Sequence, residues 1–173
     1  MWQGTGYRPL PDADAARRLF DFAAAPWPDA APPLFCWGAH VAVGTGDRSV
    51  PAGERLVGAV VAERAERAVM LYGPVIEVDT PLDGGELLGG SQSIDALDVA
   101  AQLVAAAIDH ATALGVETVF ARPQGLDRIW IRHGFLPVPE GALPAALGSR
   151  PGVGLYAWRG GTALWTFRER PQD

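Results

Sequence analysis

Two carboxylates stand where the longest predicted helix begins. The segment SIDALDVAAQLVAAAIDHATALG, residues 93–115, opens with candidate caps and repeats apolar residues every three or four positions, which is typical of a helix. Asp95 and Asp98 fall in its first turn. Acidic side chains there cap free backbone N–H groups and complement the helix dipole. The same N–H groups would otherwise attract an anion such as a phosphate, so this chain carries negative charge at a natural anion site. The predicted buried stripe consists of Ile94, Leu97, Ala101, Val104, Ile108 and Ala111.

Three arginines form a second candidate site for an anion. Arg122 ends a predicted strand, and Arg128 and Arg132 stand four residues apart, which puts them on one face of a short predicted helix. The alternative interpretation is that all three are ordinary surface arginines in contact with solvent.

Metal and hydrolase chemistry find little support in the residue pattern. Cys36 and His40 stand four apart in a strand-like segment, but two ligands do not make a zinc site, so we expect a buried cysteine and no metal. His110 and His133 lie near predicted helix ends, where contact with the helix dipole accounts for them. Neither a serine nucleophile elbow nor a Walker A loop occurs in the sequence, which removes the usual signatures of hydrolases and NTPases.

The composition excludes several broad classes of protein. The net charge is −6 and no run of basic residues occurs, which argues against a nucleic-acid partner. A single cysteine cannot form an internal disulfide or, alone, hold an iron–sulfur cluster. All 14 cationic residues are arginine. Because the sequence contains no recognisable targeting segment or membrane span, we expect one domain, residues 1–173, in a cytoplasmic protein with no membrane partner.

The candidate residues must be positioned by strands that alternate with helices. The hydrophobic pattern predicts the order β, α, β, β, β, α, β, α, β, β, with the last two strands forming a C-terminal hairpin around Gly160-Gly161. This order is typical of an α/β or α+β sheet covered by helices. The fourth strand, residues 67–79, contains Gly73-Pro74, which cannot sit in an uninterrupted ladder and indicates a bulge beside a binding site. Residues 80–92 are predicted to be a glycine-rich surface loop.

This order of elements resembles the GNAT superfamily of N-acetyltransferases. The resemblance spans residues 7–158 and includes YRPL near the start and WIRHGFLPVP near the end. The segments SIDAL and LGSR are similar to those of a small bacterial group of GNAT-like proteins. The resemblance implies a central mixed, mostly antiparallel sheet flanked by helices.

The resemblance also implies acetyl-CoA or another acyl-CoA as cofactor. In the family, backbone N–H groups of a Q/R-x-x-G-x-G/A turn bind the pyrophosphate at the start of the long helix. The family spacing places that turn on residues 95–100, so that Val99 and Ala100 become candidate cofactor-binding residues. Asp95 replaces the glutamine or arginine and Asp98 replaces the first glycine, so only Ala100 conforms. Negative charge beside a pyrophosphate is unfavourable, and we interpret the turn as degenerate.

The end of the broken strand is where relatives hold the acyl carbonyl, which here means the backbone of Val75, Ile76 and Val78. A GNAT base is a carboxylate on the central strands, or a water that it orders. Glu77 is the best-placed candidate, and Tyr72 is predicted to donate a hydrogen bond into the same cleft.

The usual general acid of the family is a tyrosine four residues before the glycine of the Gly134-Phe135 motif. This chain has Trp130 there. An indole N–H donates hydrogen bonds but does not act as an acid near neutral pH. We expect Trp130 to pack the short helix onto the sheet.

The sequence therefore supports two hypotheses about function. The first is an acyl-CoA-dependent N-acyltransferase acting on a small-molecule or peptide amine. The second is a non-catalytic module with the same fold that binds a small ligand or a protein partner. The resemblance favours the first hypothesis, whereas the degenerate turn and the missing tyrosine favour the second. A homodimer is left open.

Overall fold

A mixed sheet runs through the part of the chain that the computed structural model describes, residues 5–28, 32–43, 53–77, 95–123, 125–152 and 154–160. In chain order the elements are β1 (Thr5–Pro9), α1 (Asp14–Phe22), β2 (Phe35–Val43), β3 (Gly53–Ala65), β4 (Ala68–Ile76), α2 (Ala96–Ala113), β5 (Thr118–Ala121), α3 (Asp127–Arg132), β6 (Leu136–Pro137), two single-turn 3-10 helices (Glu140–Ala142 and Ala145–Leu147) and β7 (Tyr156–Trp158).

The seven strands are arranged in the order β1-β2-β3-β4-β5-β7-β6. Among them β4 and β5 are parallel, and the other neighbouring pairs are antiparallel. The predicted mixed, mostly antiparallel sheet flanked by helices is therefore confirmed. β7 lies in the segment predicted as the first arm of a C-terminal hairpin, and its described partners are β5 and β6. The second arm, and the predicted loop at residues 80–92, lie outside the described residues.

Helices cover both faces of the sheet. Successive side chains of a strand point to opposite faces, and β4 supplies both cores. Val69 and Leu71 pack with α2 and α3 on one face, whereas Met70 and Tyr72 pack with α1 on the other. The buried residues of α1 are Ala16, Leu19 and Phe20. None of the described helices is long and apolar enough to cross a bilayer.

Helix α2 begins at its own aspartate. Asp95 is the N-cap, and its carboxylate accepts a hydrogen bond from the Leu97 N–H at 2.9 Å. Asp98 lies exposed in the first turn, and Gly115 follows the helix with φ +76°. A residue in this left-handed conformation is the usual end of a helix, and glycine adopts it without steric cost.

The predicted buried stripe of α2 is partly wrong. Leu97 is 59% exposed and Ala101 is only partly buried, whereas Val104, Ile108 and Ala111 are buried. At 3.6 residues per turn, the true buried arc is rotated by about 70° from the predicted one. Alanine fits a buried or a half-exposed position equally well, so the many alanines of this helix concealed the arc. The residues that are buried are Val99, Ala100, Leu103, Val104, Ala107, Ile108 and Ala111.

The predicted break in β4 is confirmed as a bulge. Ala59 pairs with Val75 and Val61 pairs with Tyr72, so one residue of β3 lies opposite the two residues Gly73-Pro74. The Gly73–Pro74 peptide bond is cis, and Gly73 has φ +88°. A Cβ on Gly73 would lie 2.9 Å from the Val75 nitrogen, so glycine is required here on both grounds.

A carboxylate lies buried in the core on the α1 side. Glu63 of β3 is 3% exposed. It accepts hydrogen bonds from Tyr72 Oη at 2.5 Å and from Arg150 Nε and Nη2 at 2.9 and 2.5 Å. Burial raises the pKa of Glu63, but the hydrogen bonds from Arg150 and Tyr72 outweigh burial, so the pKa is lowered overall. These contacts tie β3, β4 and the segment that precedes β7 to one another.

Replacing Asp95 by alanine is expected to lower the free energy of unfolding by about 1 kcal/mol, because the capping bond is lost. Urea unfolding followed by far-UV circular dichroism measures the change. Asp109→Ala is the matched control: Asp109 is an exposed aspartate in the C-terminal half of α2, where the dipole does not favour an acid. An equal loss in both variants would contradict the capping role of Asp95.

Replacing Glu63 by glutamine is expected to lower the free energy of unfolding at pH 7 by about 3 kcal/mol, because the partly buried Arg150 loses the charge partner that lies in the core. The folded pKa lies below the ordinary value of 4.5. The stability that ionised Glu63 contributes is thus complete above pH 4.5 and is lost as the pH falls through the lowered pKa. The difference between wild type and variant should narrow in acid.

The control for this measurement is Glu117→Gln. Glu117 is 61% exposed and pairs with Arg67 at 2.6 Å, and an exposed pair of this kind contributes under about 1 kcal/mol. If the difference in unfolding free energy between wild type and Glu63→Gln stays constant into strong acid, the negative charge of Glu63 does not contribute to stability.

Candidate functional site

A cleft opens where the two parallel strands separate. β4 and β5 pair from Ala68 opposite Thr118 to Leu71 opposite Ala121, and there the pairing stops. β4 continues to Ile76 through its bulge, whereas β5 has ended. The space between them has a volume of about 240 Å³. Its lining comes from β4, from the residues after α1, from the residues that follow β5 and from the segment at 150–151, and includes Ala25, Pro26, Tyr72, Gly73, Pro74, Val75, Ile76, Arg122, Leu126, Arg150 and Pro151.

Tyr72 supplies a hydroxyl group to the cleft lining. Its single proton is donated to Glu63, so the oxygen can only accept a further hydrogen bond. Burial, followed by the contact with Glu63, raises the pKa of Tyr72 well above its ordinary value. The residue is therefore neutral and held in place. This geometry differs from the predicted donation of a hydrogen bond into the cleft, because Glu63 takes the proton.

Two arginines bring positive charge to the lining, and each is held by a carboxylate. Arg150 is bonded to Glu63 and its side chain is 16% exposed. The side chain of Arg122 is 7% exposed and makes two bonds of 2.7 Å to Glu140, together with one of 3.1 Å to the Gly154 carbonyl. The hydrogen bonds that Arg122 donates to Glu140 raise the pKa of Arg122. Both guanidinium groups are thus charged and fixed.

The predicted cluster of three arginines is not gathered in this cleft. Arg122 lines it, but Arg128 and Arg132 are exposed on α3 and are not part of its lining. A spacing of four residues did place the last two on one helix, as predicted. That helix directs them to solvent, so the alternative interpretation as surface arginines fits these two.

The predicted catalytic carboxylate lies at the end of β4. The Glu77 N–H donates to the Val57 carbonyl at 2.7 Å, which extends the pairing with β3. Its side chain is 33% exposed, and Oε1 lies 3.9 Å from Arg55 Nη1. Glu77 does not belong to the cleft lining. Its role as a base stays a prediction.

The predicted cofactor-binding residues fall into two groups. Val75 and Ile76 line the cleft, whereas Val78 lies outside the described residues. Val99 and Ala100 are 2% and 1% exposed, in the core beneath α2. The Val99 N–H already donates to the Asp95 carbonyl at 3.0 Å. Asp95 thus accepts from two N–H groups at the start of α2: its side chain accepts from Leu97 and its carbonyl from Val99.

Trp130 packs as the sequence predicts. It is 1% exposed in the core on the α2 side, and its ring lies edge-on to Phe135 with centroids 4.9 Å apart. Gly134, with φ +90°, makes the turn that brings these two aromatic rings together. Trp130 therefore holds α3 on the sheet.

Among the cysteine and histidines, His110 has defined side-chain partners, whereas His40 Nδ1 and His133 Nε2 are buried without a hydrogen-bond partner in the described structure. Cys36 is buried, and burial raises the pKa of its thiol to about 11. His110 Nδ1 accepts from the Trp37 indole at 2.7 Å, and the imidazole stacks on Phe35 with centroids 4.4 Å apart. His110 is in the last turn of α2, as predicted, but its contacts are with β2. Burial lowers the pKa of His133.

Sequence reasoning missed Glu63 and Arg150. Glu63 follows the apolar run LVGAVVA, which is the only hint that its carboxylate is buried. Nothing in the sequence connects it to Arg150, which lies 87 residues further along the chain. Only the folded sheet brings the two side chains together.

Solved structures share this architecture. An acetyltransferase of the GNAT family from Staphylococcus aureus aligns with a TM-score of 0.59 at 11% identity, covering 90% of this chain and 99% of that one. The ribosomal-protein-S18-alanine N-acetyltransferase of Escherichia coli has a TM-score of 0.55 at 12% identity, with coverages of 92% and 96%. N-acetylglutamate synthase from Neisseria gonorrhoeae, complexed with coenzyme A and N-acetyl-glutamate, has a TM-score of 0.54 at 14% identity and covers 92% of this chain and 36% of that one.

The likeness to these proteins is structural. No family model matches the chain, and no curated protein matches its sequence. The predicted affinity with a small bacterial group stays a prediction. The agreement in structure nevertheless extends over nine-tenths of the chain. This chain has the fold of the GNAT acetyltransferases.

Proposed function

We propose that this protein is an acyl-CoA-dependent N-acyltransferase whose thioester substrate lies between β4 and β5. One observation carries the proposal: the two parallel strands stop pairing at Leu71 and Ala121, while β4 runs on for five more residues beside an open cleft. The likeness to acetyltransferases, two of whose structures contain coenzyme A, agrees with this assignment.

The chemistry of the cleft suits a thioester with an amide-containing arm. Between Tyr72 and Ile76 the backbone of β4 has β3 on one side and the cleft on the other. An extended ligand can bond to such a strand edge through its own amides. Backbone N–H groups near Val75, Ile76 and Val78 would then stabilise the negative charge that develops on the carbonyl oxygen during attack. These are the residues to which the sequence assigns the acyl group.

In the proposed reaction the amine nitrogen attacks the thioester carbonyl carbon. The C–N bond forms, the C–S bond breaks, and the proton that the amine loses ends on the thiolate. Glu77, or a water that it orders, is the proposed base. Tyr72 Oη, which can only accept, would orient an N–H of the amine. Trp130 is buried away from this chemistry and supplies no proton, so the thiolate would be protonated by solvent or by the proton from the amine.

The first turn of α2 does not fit the pyrophosphate in the usual way. Asp95 bonds the N–H of Leu97, and Asp98 adds a second carboxylate on the exposed side of the turn. Both charges oppose a polyanion. This observation favours the second candidate function, a GNAT-fold module that binds a small ligand or a protein partner without transferring an acyl group. In the transferase proposal, affinity comes mainly from the β4 edge and not from the pyrophosphate.

Calorimetric titration tests the two candidates with acetyl-CoA and S-acetylpantetheine, which keeps the thioester and lacks the pyrophosphate. For the transferase we expect both compounds to bind the wild type with similar affinity. Asp95→Gln combined with Asp98→Gly should strengthen acetyl-CoA binding about tenfold and leave S-acetylpantetheine unchanged, because only the pyrophosphate meets the removed charge. Asp109→Ala is the matched control for loss of one α2 carboxylate.

Two results would contradict these assignments. A wild type that binds acetyl-CoA tightly and S-acetylpantetheine weakly would show that the aspartates do not oppose the pyrophosphate. If neither the wild type nor the double variant binds either compound, the cleft does not take a thioester and the binding module becomes the better proposal.

A further inference from the structure

A second cavity shares part of its lining with the cleft, and Arg150 lines both. It is a wider, open hollow of about 640 Å³ between α1 and the segment at 149–151. The two cavities share Ala25, Pro26, Arg150 and Pro151. If the thioester enters between β4 and β5, the amine has a separate approach through this hollow, and Arg150 lies where the two spaces meet.

The guanidinium group of Arg150 has hydrogen-bonding capacity left at that junction. Of its five N–H donors, Nε–H and one on Nη2 are bonded to Glu63. Nη1 has one long contact of 3.4 Å, to the Ser149 hydroxyl, and the guanidinium also has a hydrogen-bonding contact with the Tyr72 hydroxyl. The edge of the guanidinium that faces away from Glu63 is therefore able to bind a further acceptor, and Glu63 fixes its position.

The charge of the cleft lining selects for an anion. Arg122 and Arg150 are the charged side chains that line it, and no carboxylate does so among the described residues. Glu63 forms an ion pair with Arg150, and Glu140, whose side chain is 63% exposed, forms one with Arg122, but neither carboxylate belongs to the cleft lining. Asp21 stands exposed at the outer hollow. An acceptor amine without a carboxylate would bring only a positive charge to the two guanidinium groups. An acceptor that also carries a carboxylate could bind them through that group.

We propose that Arg150 binds the carboxylate of the acceptor, and that the acceptor is therefore a small amine carrying a carboxylate, of the α-amino-acid class. The inference rests on the proposed transferase function. It makes Arg150 a specificity-determining residue: its outer edge holds the carboxylate, Glu63 orients the guanidinium, and the amine is left near Tyr72, which Glu63 also holds.

Ligand-observed saturation-transfer NMR on the full chain tests this proposal without any turnover. The probes are glycine, L-alanine and L-leucine, each compared with its own C-terminal amide. We expect at least one of the acids to bind about tenfold more tightly than its amide, which corresponds to one charge-assisted hydrogen-bonded contact. Arg150→Gln should remove that preference and Arg150→Lys should retain part of it, because a lysine keeps the charge but not the planar edge.

Two further variants separate recognition from folding. Arg18→Gln removes a charge from an exposed arginine of α1 that lines neither cavity, and it should leave the preference unchanged. Arg150→Gln alone leaves Glu63 unpaired in the core, which could prevent folding. The double variant Glu63→Gln with Arg150→Gln leaves no unpaired charge there. If it folds and does not prefer acids to amides, the role of Arg150 is supported.

The proposal is overturned if acids and amides bind equally, if no acid binds, or if Arg150→Gln keeps the preference. The transferase function is tested separately, by mass spectrometric detection of acetylated product after the same amines are incubated with the protein and acetyl-CoA. If amides are acetylated and acids are not preferred, the transferase function is supported and the proposed role of Arg150 is contradicted. If acids bind preferentially and no acetylated product forms, the role of Arg150 is supported and the transferase function is contradicted.

Discussion

The short parallel contact between β4 and β5 is the constraint on which the rest of the structure depends. Four residues of each strand pair, and then the strands separate. Parallel neighbours require a crossover connection, and α2 occupies it, covering one face of the sheet. The bulge at Gly73-Pro74 bends β4 at the point where its other partner is lost. The cleft, the backbone edge that lines it and the first turn of α2 all follow from that separation.

Much of the fold was predictable because local signals determine it. Gly73-Pro74 marked the bulge, Gly115 and Gly134 marked helix ends, and Asp95 marked the start of α2. Each of these residues acts on its own backbone or on a neighbour within a few positions. The buried arc of α2 was harder, because its orientation depends on what the sheet presents to it. With so many alanines, α2 has only a few large apolar side chains, and these do not define its buried face from sequence.

The site was less predictable because its polar groups are paired over long separations. Tyr72 was identified from its position beside the bulge, but its acceptor, Glu63, belongs to another strand, and Arg150 joins from a segment after both single-turn helices. The charge of a buried side chain depends on such partners. Glu77 illustrates the converse: its position in the family pointed to it, and the structure sets its carboxylate beside Arg55, next to the lining residue Ile76 but not in the lining itself.

The arginines that hold the rim of the cleft have a consequence for its chemical durability. The ion pairs Arg150–Glu63 and Arg122–Glu140 use guanidinium groups, and the whole sequence contains no lysine. A lysine amine loses its charge when it is acylated, whereas an arginine stays protonated and is a poor nucleophile under the same conditions. A protein that works beside a reactive thioester would, if built on lysine, gradually modify its own ion pairs. This chain has no lysine side chain, so under the proposed function the contacts that shape its cleft would not be lost to acylation of a side-chain amine.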